Sequence, residues 1–248
     1  MERFFCLELL LNKKKLERLH RSFVVVIGIG AVGGYAVEAL ARSGVGRFRL
    51  IDFDTIKITN FNRHILATES NLGKLKVEAA RERIAQINPA CRVEALNTFA
   101  AEETIERILE GGPDLVIDAI DSLNPKTQVL EACFKKKVPV ISSMGAALKT
   151  ELASVKAGDL FKTSGCPLAR QLRSRLRRRG IEKGIFCVYS DAPVPKPEKE
   201  EALMNAEEDY PRGRRRQKMG SLSTVTGVFG LTVAHEAIRY LTGDSALR

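Results

Sequence analysis

The sequence predicts an α/β protein, a Rossmann-like, doubly wound and mostly parallel sheet with a basic C-terminal extension. Two observations carry this. Short apolar runs alternate with helix-period segments from Phe23 to Ser142, as expected for strands covered on both faces by crossover helices. The first of these runs passes directly into Gly28-Ile29-Gly30-Ala31-Val32-Gly33 and then into a helical pattern. Strand, glycine turn and helix in that order open the nucleotide-binding α/β folds.

Phe23 to Ile27 is continuously β-branched or aromatic and reads as a strand buried on both faces. Tyr35 to Arg42 places Ala and Leu at helical spacing, and Gly44 and Gly46 end that helix. Phe48 to Phe53 is the second strand, Lys74 to Ile87 a charged amphipathic helix, and Arg92 to Leu96 the third strand. Glu102 to Leu109 returns to the helical period. Asp114 to Ile120, following Pro113, is a buried strand, Gln128 to Lys136 a helix and Val138 to Ser142 a strand. This alternation specifies parallel βα units.

Beyond Met144 the character changes. Leu168, Leu172 and Leu176 mark one face of a helix whose other face is almost entirely arginine. Pro193 to Ala206 carries three prolines and several acids and reads as a loop, and Thr224 to Leu241 as an apolar closing helix. Residues 1–22 are expected to form an N-terminal helical arm, 23–150 the nucleotide-binding domain, and 151–248 a C-terminal part with basic segments and the closing helix.

Hydrophobic and charged contents of 44% and 28% are ordinary for a chain with a packed core. Five cysteines without a CxxC pair argue against a disulfide framework and a four-cysteine zinc site. Leu7 to Leu11 is too short for a signal-peptide core, and Val225 to Ala234 falls short of the roughly 20 apolar residues that span a bilayer. The expectation is a cytoplasmic protein with no membrane partner.

The glycine motif alone leaves NAD, FAD and ATP open. Its glycines allow a tight turn and close backbone approach, and the helix N-terminus attracts phosphate. Asp52, at the end of the second strand, is placed to bind a ribose hydroxyl, which suits NAD at least as well as ATP. Taken singly, Arg63 and Lys76 read equally as solvated charges and Asp121 as a helix cap.

The ordered set Leu50-Ile51-Asp52-Phe53-Asp54, Thr59-Asn60-Phe61-Asn62-Arg63, Gly73-Lys74-Leu75-Lys76 and Asp118-Ala119-Ile120-Asp121 resembles the ubiquitin-activating-enzyme-like superfamily. That superfamily includes bacterial activators of molybdopterin and thiamin sulfur carriers. The resemblance covers Val24 to Gly145 and implies ATP-dependent adenylation of a carboxylate. Gly28, Gly30 and Gly33 would then form the phosphate turn and Asp52 bind ribose. Asn60 and Asn62 would hold the nucleotide or shape its loop, and Ser122 would join the site. Arg63 and Lys76 would meet the triphosphate, and with Asp121 form the catalytic set; Asp121 would hold Mg²⁺, with Asp54 behind it or on the metal. These roles suit the chemistry, because attack on the α-phosphate builds up negative charge. Relatives often carry an N-terminal arginine reaching the partner's ATP. Cys6 stands at that place, three residues after Arg3. His64 reads as structural.

Basicity is local. Lys162 to Lys183 and Arg212 to Lys218 together carry a net +12, more than the +10 of the whole chain. Arg170, Arg173, Arg175, Arg177, Arg178 and Arg179, with Arg212, Arg214, Arg215, Arg216 and Lys218, form the footprint expected for a nucleic-acid backbone. With Ser122, Pro125-Lys126, Gly145-Ala146, Asp159 to Thr163 and Pro167-Leu168-Ala169, the sequence is similar to the transfer RNA threonylcarbamoyladenosine dehydratases. That resemblance implies tRNA as substrate, ATP and Mg²⁺ as cofactors, cyclisation of the activated threonylcarbamoyl group, and a homodimer. It also brings sulfur-carrier or cysteine-desulfurase proteins into view as partners. The alternative is adenylation of the C-terminal glycine of a ubiquitin-like sulfur carrier. An acyl-accepting thiol in such chemistry would be Cys166 or Cys187, and neither has a neighbouring base in the sequence.

Overall fold

A computed structural model describes residues 2–194 and 219–247. Two helices, α1 (Phe5–Leu11) and α2 (Lys13–Arg21), lead into β1 (Phe23–Ile27), and α3 (Ala31–Arg42) follows the glycine turn. The chain continues through β2 (Arg47–Asp52), α4 (Lys76–Ile87), β3 (Arg92–Asn97), α5 (Glu102–Leu109), β4 (Leu115–Asp118), α6 (Leu123–Lys136) and β5 (Val140–Ser143). It closes with β6 (Val155–Asp159), α7 (Pro167–Arg177), β7 (Phe186–Ser190) and α8 (Ser223–Thr242). Among the described residues no helix is long and apolar enough to cross a membrane.

The seven strands form one sheet in the order β3-β2-β1-β4-β5-β7-β6. All neighbours are parallel except β6, which runs antiparallel on β7. β1 is apolar throughout, and so is β4 from Leu115 to Ile117, because both their faces are covered. Val24 and Val26 pack with α3, α4 and α8 in one core, whereas Val25 and Ile27 pack with α5, α6 and α7 in the other. Strand order reverses between β1 and β4, the position at which open α/β sheets bind ligands beyond their strand C-termini.

The differences from the sequence reading are physical. α3 begins at Ala31 despite Gly33 and Gly34, since helix contacts with the sheet override the poor propensity of glycine. α6 begins at Leu123 and takes Pro125 into its first turn, where a missing N–H costs nothing. β6 and β7 are additions, and they carry the sheet past residue 150. Leu172 and Leu176 are fully buried in the second core, so the arginine-rich α7 is one of the layers around the sheet. The loop expected from Pro193 to Ala206 is described only for its first two residues.

α8 crosses α3 at Gly230, where an added Cβ would lie 2.5 Å from the Val32 carbonyl oxygen and 2.6 Å from the Tyr35 Cβ. Gly230→Ala is therefore expected to force these helices apart and destabilise the fold by about 1–3 kcal/mol. A urea titration should show a lower midpoint at unchanged slope; a midpoint equal to wild type would contradict this packing.

Candidate active site

Where β1 ends, the chain must turn at once into α3. Gly28 makes this turn at φ +90°, with the position of its missing Cβ only 2.8 Å from the Ala119 carbonyl oxygen after β4. A side chain would oppose both the conformation and the contact. Gly33 faces back onto the same turn, and a Cβ there would lie 1.9 Å from the Gly28 carbonyl oxygen. Its role is close packing of helix on turn. Gly30, the residue before α3, differs: a Cβ would meet nothing within 4 Å. The space before it belongs to a cavity at a helix N-terminus, where backbone N–H groups and the helix dipole favour an anion.

This cavity has a volume of about 820 Å³. Gly28, Gly30, Asp52, Asp54, Asn60, Arg63, Lys76, Asp121 and Ser122 all lie on its wall. Of the nucleotide-site residues expected from the sequence, Gly33 and Asn62 do not. Asn62 shapes the loop instead. Its amide donates to the Ser221 carbonyl at 3.0 Å, and its Oδ1 accepts from Arg63 Nη1 at 2.8 Å. Arg63 Nη1 also donates to the Thr59 carbonyl at 2.7 Å, which holds the guanidinium at the cavity edge.

Asp52 braces the glycine turn. Its Oδ2 accepts from Ile29 N–H at 2.7 Å and its Oδ1 from Asp54 N–H at 2.9 Å. Each oxygen keeps a second lone pair for a ribose hydroxyl. Burial raises the Asp52 carboxyl above its ordinary pKa, opposed by Lys76 and by the two N–H donors. Lys76, at the start of α4, bonds Asp54 Oδ2 at 2.9 Å. Burial alone would lower its ammonium, but Asp52, Asp54 and Asp121 outweigh burial and hold it above its usual value. Lys76 is thus a fixed cation whose carboxylate partners could be exchanged for phosphate.

Among the described residues no group of three or more His, Cys, Asp or Glu side chains forms a metal cage. Mg²⁺ needs none when a nucleotide is present, because it takes one or two carboxylates and completes its shell with phosphate oxygens and water. Asp121 on the cavity wall, with open space in front of Gly30, fits that arrangement.

The cavity has a second arm that the sequence did not reveal. It runs from Met144 to Lys149 and reaches Cys166, Pro167, Leu168 and Gln171 at the start of α7. Leu148 there holds a left-handed φ of 60° and donates its N–H to the Gly220 carbonyl at 2.9 Å, a strain of the kind found at functional sites. Phe99, edge-on to Phe53 at 5.0 Å, also lines the cavity. Cys166 lines this arm, while Cys187 is buried in β7 and burial pushes its thiol pKa up, the reverse of an activated nucleophile.

The arginines of α7 and of the two residues after it differ in their contacts. Arg173 donates to the Thr163 hydroxyl, Arg175 to Asn124 Oδ1 at 3.2 Å, and Arg179 pairs with Glu131 at 2.7 Å. Arg170, Arg177, Arg178 and Arg179 are exposed, and Arg177 lies over the Phe161 ring at 5.6 Å. Arg212, Arg214, Arg215, Arg216 and Lys218 lie outside the described residues. At the N-terminus, Cys6 is exposed and Arg3 donates to the Ile87 carbonyl at the end of α4.

Comparison with known proteins decides the lineage. Residues 6–248 match the ThiF family. The chain belongs to that family. It is 47% identical over 184 residues to the tRNA threonylcarbamoyladenosine dehydratase of Bacillus subtilis, covering 74% of this chain and 72% of the relative. The Escherichia coli tRNA threonylcarbamoyladenosine dehydratase is 34% identical over 247 residues, 96% of this chain and 92% of that one. A crystal structure of the E. coli tRNA N6-threonylcarbamoyladenosine dehydratase in complex with ATP superposes with a TM-score of 0.86 at 34% identity, covering 98% of this chain and 95% of its own.

His64 is a clamp, as the structural reading of it expects. It is buried, with Nε2 2.6 Å from the Ile29 carbonyl and Nδ1 accepting from Leu66 N–H at 3.1 Å. The Leu66 contact makes Nδ1 the acceptor and Nε2–H the donor, a neutral ring. Burial lowers its pKa from 6.5 to about 4. The unfolded chain therefore takes up the proton first. Stability from this group is complete above pH 6.5 and declines as pH falls toward 4, by about 3 kcal/mol in full. Denaturation across that window should show a shallower pH slope for His64→Gln than for wild type; parallel slopes would refute the clamp.

Proposed function

We propose that this chain is an ATP-dependent tRNA threonylcarbamoyladenosine dehydratase. The observation that carries the proposal is its likeness, over nearly the whole chain, to a dehydratase with ATP bound, in a fold whose cavity gathers Gly30, Arg63, Lys76 and Asp121. The glycine turn and the N-terminus of α3 would seat the triphosphate, and Asp52 the ribose. Lys76 and Arg63 would meet the charge that develops as a carboxylate oxygen bonds to the α-phosphorus and pyrophosphate departs. Mg²⁺ on Asp121 would neutralise phosphate charge during that exchange.

The substrate carboxylate belongs to the threonylcarbamoyl group. Once it is adenylated, the neighbouring carbamoyl group bonds to the activated carbonyl carbon, loses a proton and expels AMP, so that the nucleoside is cyclised with net loss of water. Holding both reacting groups in one molecule makes the second step intramolecular and dispenses with an acyl-accepting thiol. The second arm, between Met144 and α7, is where the modified nucleoside would enter, and Arg170, Arg177 and Arg178 would lie against the tRNA backbone. A cytoplasmic homodimer accompanies this reading, and the exposed Phe5, Leu9 and Leu10 of α1 are an apolar face suited to such contact.

Purified protein given ATP and tRNA bearing threonylcarbamoyladenosine should form AMP, pyrophosphate and the cyclic nucleoside, read by nucleoside mass spectrometry, with no response to NAD. AMP formation with a ubiquitin-like carrier protein and none with tRNA would overturn the assignment. Arg63→Ala or Lys76→Ala should lower kcat by about 100-fold with RNA affinity nearly unchanged. Replacing Arg170, Arg177 and Arg178 together by Ala should do the opposite. RNA binding should weaken, and its logarithmic salt slope should flatten by about one for each phosphate no longer neutralised.

A further inference from the structure

Behind the cavity wall lies a polar group that the proposed chemistry does not use. Asp118, Lys126 and Ser142 are each 0% exposed. Lys126, in the second turn of α6, places Nζ 2.7 Å from Asp118 Oδ2, 2.9 Å from the Ile120 carbonyl and 3.4 Å from the Asp118 carbonyl. Ser142 on β5 donates its hydroxyl to Asp118 Oδ2 at 2.7 Å, and Ile120 N–H donates to Asp118 Oδ1 at 3.1 Å. None of the three lines the cavity, yet the turn in front of them, Ala119 to Leu123, does.

A buried ion pair is a poor device for stability alone, because well-packed apolar residues of similar size hold a core as well or better. An apolar pair cannot direct backbone groups. Here the ammonium's contacts with two carbonyls and a carboxylate, together with the carboxylate's hold on the Ile120 N–H, fix the backbone of residues 118–120. The same turn touches Gly28 through the Ala119 carbonyl and carries Asp121 and Ser122 into the cavity. We propose that Lys126, braced by Asp118 and Ser142, is a positioning residue that holds this turn so that Asp121 faces the triphosphate and its metal. The inference rests on the cavity being an ATP site.

The test uses the full chain and titration calorimetry with a non-hydrolysable ATP analogue, with and without Mg²⁺, and with AMP. The double variant Asp118→Asn/Lys126→Met removes the pair without stranding a buried charge. Its expected behaviour is wild-type affinity for AMP and a loss of about 10- to 100-fold in affinity for the analogue with Mg²⁺, the range seen when groups supporting a metal ligand are removed. Its kcat for AMP formation should fall with it. Folded double variant that binds the analogue with Mg²⁺ within twofold of wild type would make Lys126 merely structural and overturn the inference. If that variant does not fold, Ser142→Ala keeps the ion pair and loosens only the brace; a weakened magnesium-dependent affinity with unchanged AMP affinity supports the proposal, and an unchanged one overturns it. A wild-type protein that binds no ATP analogue would instead overturn the nucleotide site, and this inference with it.

Discussion

Everything at the site depends on backbone pressed against backbone where the β1 and β4 turns meet. With the position of a missing Gly28 Cβ 2.8 Å from the Ala119 carbonyl, and that of Gly33 closer still to Gly28, no side chain separates the two loops or the helix that follows. The start of α3, the end of β1 and the turn after β4 are therefore packed backbone against backbone. Side chains then lock this junction from three sides. Asp52 takes the Ile29 N–H, His64 the Ile29 carbonyl, and Asp118 the Ile120 N–H. A binding surface made of backbone and fastened by buried side chains has few ways to relax, which is what a site needs if its donors are to be in place before the ligand arrives.

The charges on that floor argue for a ligand with more negative charge than a dinucleotide carries. A diphosphate can be held by a glycine turn and a helix N-terminus alone. Lys76, by contrast, is a nearly buried ammonium among Asp52, Asp54 and Asp121. Burying an ammonium is costly unless it is paired, so the carboxylates keep the lysine charged and in place in the free protein. Arg63 lines the same cavity, tied by its own loop. Together they supply two cations beyond the backbone site, on the wall of the same cavity as a carboxylate suited to a hard metal ion.

Much of this was legible in the sequence, and the reasons differ from element to element. β1 is apolar without interruption, and β4 is apolar up to Asp118, because both faces are buried, and that pattern needs no tertiary knowledge. The glycine motif and the ordered polar set from Asp52 to Asp121 announced the nucleotide arm, since the glycines, Asp52 and Asp121 stand at or just after the C-terminal ends of β1, β2 and β4. β6 was silent because Val155–Asp159 is a half-exposed edge strand with lysine and glycine inside it. β7 did carry a signal, the run from Ile185 to Tyr189, which was overshadowed by the arginines before it. Lys126 could not be read as buried, because a lysine in a helix is normally solvated, and only the fold brings Asp118 and Ser142 to it from neighbouring strands. The second arm of the cavity was legible only as the separate motifs Gly145-Ala146 and Pro167-Leu168, which the fold brings onto one wall. It is assembled from the β5 loop and the start of α7, which are distant in sequence.

α7 joins the cavity wall to an exposed basic surface. Its first turn forms part of the cavity wall through Pro167, Leu168 and Gln171, and its length carries the arginines away from that point. Arg170 and Arg177 are seven residues apart, two turns and about 10 Å along one side of the helix. Arg173, Arg175 and Arg179 bond Thr163, Asn124 and Glu131 and so fasten the helix to its neighbours, while Arg170, Arg177 and Arg178 are exposed. A polyanion lying along such a helix would be gripped by its backbone at one end while presenting a single unit to the cavity at the other. That arrangement lets affinity come from many phosphates and specificity from one modified nucleoside.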